Sequence, residues 1–122
     1  MRTLSQFRSE VKSALEGVSR LKEVKLIIDD KKDSLNLREP SAGIVYKGSE
    51  TIFDNGYPIE QIGFAVLIKL SNVAKEDNLD VLEEAYSALL RVNPIKISLK
   101  ADKTTDRSTI YAINLAFNGV SS

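Results

Sequence analysis

Apolar residues in the first part of the chain recur at spacings of three and four: Leu4, Phe7, Val11, Leu15, Val18 and Leu21, with Ala14 on the same face. That is the period of an amphipathic helix, here about five turns long. Thr3 followed by Gln6 fits a capping box, in which hydroxyl and amide satisfy backbone N–H groups left over at a helix start. Gly17 costs up to about 1 kcal/mol against alanine inside a helix. It reads as a bend or an early helix end, with close approach of another backbone as the alternative. The period then changes to two. Residues 24–28 read as a short strand, stopped by the mixed charges Asp29, Asp30, Lys31, Lys32 and Asp33. Residues 34–41, with Pro40, read as a loop or irregular edge, and residues 42–47 as a second strand. Residues 48–58 contain Asn55-Gly56, a strong turn dipeptide, and form either a small hairpin arm or a mobile loop.

The clearest alternation follows. Over residues 62–70, Ile62, Phe64, Val66, Ile68 and Leu70 share one face, and Gly63, Ala65, Leu67 and Lys69 the other. One strongly apolar face and one small or mixed face suit a central strand. Residues 79–92 return to helical spacing, with Leu79, Leu82, Tyr86, Leu89 and Leu90 as the expected buried stripe. Asp77 or Asn78 stands where an N-cap belongs, and Asn93-Pro94 ends the helix. Residues 95–101 and 108–118 alternate again, around a polar turn at 102–107. The pattern predicts an α+β fold in the order α-β-β-β-α-β-β. Its sheet is mixed and mainly antiparallel. Both helices pack on one face, because each has a single apolar stripe. Val66, Ile68, Leu82, Leu89, Ile113 and Leu115 are the expected core. With no repeat, linker or low-complexity stretch, all 122 residues read as a single domain.

Charge narrows the function. Lys+Arg and Asp+Glu both total 17, and a chain with no basic excess is unsuited to coating nucleic acid. Near-zero net charge also removes one brake on self-association. The absence of Cys and His removes disulfides, thiolate sites, the commonest metal ligand and the commonest general base. No cofactor is expected. No apolar run approaches the ~20 residues needed to span a bilayer, and the charged helix near the start is unlike a signal peptide.

Candidate chemistry is sparse. Asp29, Asp30 and Asp33 are interrupted by Lys31 and Lys32 and lack calcium-loop spacing, so they read as a solvated turn. Glu83 and Glu84 point about 100° apart on a helix and cannot share a substrate. Ser5, Ser9 and Ser13 share a helical face but have no base beside them. Lys96, Lys100, Lys103 and Arg107 place positive charge around the last hairpin without a stacking platform for bases. Lysines along an edge strand also discourage edge pairing. Ile52, Phe53 and Tyr57 lie in a turn-rich segment. Either the segment folds back and tucks them into the core, or it is an arm that docks on a neighbouring subunit, where aromatic anchors dominate.

In its order of elements the chain resembles the tail-terminator family of long-tailed phages, which occurs in prophages as tail-completion or minor tail proteins. The resemblance is carried by the helix over residues 4–21, the strand Gly43-Ile44-Val45-Tyr46, a long loop, the strand over 64–70, the helix over 79–90 and two closing strands. It spans most of the chain as order and hydrophobic texture, without a single diagnostic motif. It implies a non-enzymatic subunit that assembles as a ring, typically a hexamer. The ring caps the finished tail tube, stops its polymerisation and offers a surface for joining the head. Its partners would be other copies of itself, the tail tube protein and a head-completion or connector protein. Its place would be the head-proximal end of the virion tail, after assembly in the host cytoplasm. Neither a membrane nor specific nucleic-acid recognition is implied. Our own reading of the residues puts subunit or tube contacts at Ile52, Phe53 and Tyr57, and at Asp29, Asp30, Lys31, Lys32 and Arg38. Two other classes remain. One is a small enzyme or ligand-binding module on a ferredoxin-like sheet, and the other is a monomeric or dimeric protein-binding adaptor.

Overall fold

A computed structural model describes residues 3–21, 23–27, 40–72 and 75–119. The described elements are α1 (Leu4–Glu16), β1 (Glu23–Ile27), β2 (Ser41–Asp54), β3 (Tyr57–Ser71), α2 (Lys75–Leu90), β4 (Lys96–Thr104) and β5 (Ser108–Gly119). This is the α-β-β-β-α-β-β order, and the fold is α+β. The strands form one five-stranded sheet in the order β1-β2-β3-β5-β4. β1 runs parallel to β2, and every other pairing is antiparallel. β3 is central, as its two apolar-to-small faces require.

The capping box forms. The Gln6 N–H donates to Thr3 Oγ1 at 3.2 Å, and the Thr3 N–H donates to Gln6 Oε1 at 2.7 Å. α1 is shorter than the five turns its periodicity suggests and stops at Gly17. Single turns then take over: the Val18 N–H bonds Leu15 O and the Leu21 N–H bonds Val18 O. A spacing of three fits an i→i+3 turn as well as an α-helix, so Val18 and Leu21 stay buried after the helix has ended. A Cβ on Gly17 would meet only the carbonyls of Ala14 and Ser13. The glycine marks an early end, not an approach by another element.

α2 begins earlier than the capping signal suggests. Asn78 lies inside it, and its Nδ2 donates to Ser71 O at 2.6 Å. The amide that resembles a cap instead ties the helix to the end of β3. The buried side of α2 is Val81, Leu82, Ala85 and Leu89, and Val92 in the turn just past its end is buried too. Leu79 is 69% exposed and Leu90 46%, so the stripe expected from Leu79, Leu82, Tyr86, Leu89 and Leu90 is misplaced by part of a turn. Ala85 explains the shift, since a small residue lets the helix axis approach the sheet.

Both helices pack on one face. There Ile44, Ile62, Phe64, Val66, Ile68, Leu70, Ile113, Leu115 and Phe117 meet Phe7, Val11 and Leu15 of α1 and the buried side of α2. The rings of Phe7 and Phe117 stack at 4.6 Å, and Phe64 meets Phe117 edge-on at 6.1 Å. All six expected core residues are buried. Arg20 reaches Asp80 at 3.4 Å and Glu84 at 3.6 Å. These half-exposed ion pairs orient the turn after α1 more than they stabilise it. At the far end of the sheet, Asn72 donates to Thr105 O at 2.7 Å and accepts from the Thr109 hydroxyl at 2.7 Å. That clamp joins the end of β3 to the β4–β5 turn.

Candidate functional site

The β2–β3 ladder outruns the rest of the sheet. β1 ends opposite Val45 and β5 ends opposite Glu60. Past those points, among the described residues, the two strands pair only with each other, through Ile52↔Ile59, Phe53↔Pro58 and Asp54↔Tyr57. The three residues of β3 beyond Glu60 carry the ladder about 10 Å past the last described β5 partner. Asn55 and Gly56 close the hairpin with φ of 52° and 83°, the paired positive values that a tight two-residue turn needs. Residues 48–58 therefore hold an ordered arm.

One irregularity sets which way the arm's side chains point. The β2–β3 register shifts between Tyr46 and Gly48, and Gly48 sits at φ 110°. An L-residue is strained there, so glycine is the natural choice for the bulge. Before the shift Tyr46 pairs with Phe64, on the helix side; after it, Ser49, Thr51 and Phe53 take that side. Glu50, Ile52 and Asp54 take the other side, together with Tyr57 and Ile59 across the ladder. Phe53 is 72% exposed and Tyr57 74%, so the tip carries one aromatic ring on each face. Ile52 is half-buried. Of the two readings open for Phe53 and Tyr57, burial in the core is excluded. The arm's charges all have one sign. Glu50, Asp54 and Glu60 are the only charged residues between Gly48 and Ile68.

A second apolar surface lies at the opposite edge of the sheet. On α2, Leu79, Tyr86 and Leu90 lie on the flank away from the side that carries Asp80 and Glu84 to Arg20. Edge strand β4 exposes Leu99 (40%), and Ile95 just before the strand is 48% exposed. Ile97 and Leu99 pair with Leu115 and Ile113 and so face the helix side, while Lys96 and Lys100 face the other. The sequence suggests β4 as a half-polar strand; its exposed apolar side depends on α2 stopping short of it.

Asp29, Asp30, Lys31, Lys32 and Arg38 lie outside the described residues. Among the described residues, no cluster of three or more His, Cys, Asp or Glu side chains could hold a metal ion, and no helix is long and apolar enough to cross a membrane. A groove of about 570 Å³ runs between the end of α1 and α2, lined by Arg20, Asp80, Glu83, Glu84 and Arg91. It opens to solvent, and its Arg20 is already engaged by Asp80 and Glu84. No family model and no curated protein matches the chain.

Proposed function

We propose that this chain is a structural virion subunit, a tail terminator that assembles as a hexameric ring at the head-proximal end of a phage tail. The ring caps the tube, ends its polymerisation and presents the surface to which a head-completion or connector protein joins. It works by shape and contact, without catalysis or a cofactor. The observation that carries the reading is the arm: a paired hairpin that holds Phe53 and Tyr57 in solvent at 72% and 74% exposure. Exposed aromatic side chains on a fixed scaffold suit an interface whose energy comes from a few anchors. The element order on which the family resemblance rests is also the order of the folded chain.

A ligand-binding module would be expected to enclose its ligand and converge polar groups on it, whereas the groove between the helices is open and its central arginine is paired. A one-to-one adaptor would use the same arm but would give a small complex of fixed stoichiometry. The test is assembly with the tail tube protein, followed by light scattering and negative-stain imaging. Rings of this protein seated on tube ends are the expected result. A single copy bound along the tube, or no association, would remove the terminator reading.

A further inference from the structure

The geometry points to a specific subunit contact: the outer edge of the arm, Ser49 to Asp54, pairs antiparallel with edge strand β4 of a second copy of this chain, continuing the sheet from one subunit to the next. This deepens the ring reading above and rests on it. Three observations converge on the pairing.

Each strand has one side that no described strand pairs with. β2 is partnered by β1 only as far as Val45, so its outer edge from Gly48 to Asp54 pairs with no described strand. β4 ends the sheet and has β5 on one side only. Open edges of this kind are templates for strand addition.

The direction fits a ring. β4 is antiparallel to β5, and β5 is antiparallel to β3, so β4 runs with β3 and against β2. A neighbour in like orientation therefore offers its β4 antiparallel to the arm. Donor and acceptor are different surfaces of one chain. Such heterologous contacts propagate around a ring when the rotation closes.

The side chains match in a single register. Setting Glu50 opposite Lys100 also sets Asp54 opposite Lys96, with Ile52 facing Ser98 between them. All of these lie on the sheet face away from the helices. On the helix face the same register sets Phe53 opposite Ile97 and Thr51 opposite Leu99, the apolar side of β4. Two opposite-charge pairs and an aromatic–aliphatic pair fall into place together, and each kind supports cross-strand pairing. Among the described residues no ion pair engages Glu50, Asp54, Lys96 or Lys100. The lysines on β4 then act selectively. They repel another basic edge and accept the acidic arm.

The chain has no cysteine, so introduced thiols report contacts without background. Two full-length double variants carry the register, Ile52→Cys with Ser98→Cys, and Thr51→Cys with Leu99→Cys. Adjacent pairs of an antiparallel ladder alternate between wide and narrow spacing, so one of the two suits a disulfide. The control is Ile52→Cys with Thr104→Cys, displaced along β4 by about 20 Å. In concentrated solution under mild oxidation, an in-register variant is expected to give a ladder beyond the dimer, and the control and each single variant none. Glu50→Lys should slow that cross-linking about tenfold, and adding Lys100→Glu should restore it. No cross-link in either in-register variant overturns the pairing. Equal cross-linking of the control overturns it too, as does cross-linking of Ser98→Cys alone, which would mean that β4 pairs with itself. If the pairing fails while the protein still caps tubes, the terminator reading stands and only this contact falls. Failure of both would remove the ring altogether.

Discussion

Leu89→Ala is expected to lower the free energy of unfolding by about 2–5 kcal/mol. Leu89 is fully buried where α2 meets the sheet, in the cluster that includes Val66, Ile68 and Ile113. Removing its branched end takes apolar surface from the core and leaves a cavity that close-packed neighbours can only partly fill. Leu82, 4% exposed in the same cluster, should behave alike. The adjacent Leu90 is the internal control. It is 46% exposed, and Leu90→Ala should stay within about 0.5 kcal/mol of the parent. Chemical denaturation of the three variants reads the contrast directly. Equal losses at Leu89 and Leu90 would mean that the face of α2 has been assigned wrongly.

The opposite behaviour is expected at the arm. Phe53→Ala combined with Tyr57→Ala should leave the unfolding free energy within about 0.5 kcal/mol of the parent, because both rings already stand in solvent at 72% and 74% exposure. Ring formation on tube ends should nonetheless be lost. Truncating a central interface aromatic typically costs about 2 kcal/mol or more, and each 1.4 kcal/mol is tenfold in affinity. On the ring proposal, two such losses at every subunit contact would leave little assembly at concentrations where the parent assembles. Denaturation curves and ring counts on the same preparations separate the two effects. A double variant that unfolds early would show that the rings support the fold, and one that assembles normally would show that the arm is not the contact.

The fold class was legible because the period of apolar residues changes from three-to-four to two and back, and because each helix has one stripe to bury. What the sequence left hidden has physical causes. Val18 and Leu21 keep helical spacing through single turns that are no longer α-helix, so α1 looked longer than it is. On α2 the expected and observed stripes share Leu82 and Leu89, and the fold buries Val81 and Ala85 beside them rather than Leu79 and Leu90. Asn78 looked like a cap because its partner, the Ser71 carbonyl, is brought near only by the fold. The same holds for the Asn72, Thr105 and Thr109 clamp, which needs the register of three strands.

The candidate site was half legible. Asn55-Gly56 announced the turn, and Phe53 and Tyr57 were candidates from their place beside it. Whether they tuck in or stand out depends on how far the β2–β3 ladder runs past β1 and β5, which their own positions do not reveal, and the bulge at Gly48 sets only the face that the later residues of β2 take. The acceptor surface on β4 was not visible, because alternation shows a strand's two faces but not whether a helix covers either. Leu99 is open because α2 sits over β3 rather than over the edge.

The most direct test of the central claim is the length distribution of tails assembled in cells that lack this protein, together with the fraction joined to heads. The account predicts tube polymerisation past the normal stop, giving long tails of variable length with no heads attached. Tails of normal length joined to heads would contradict it.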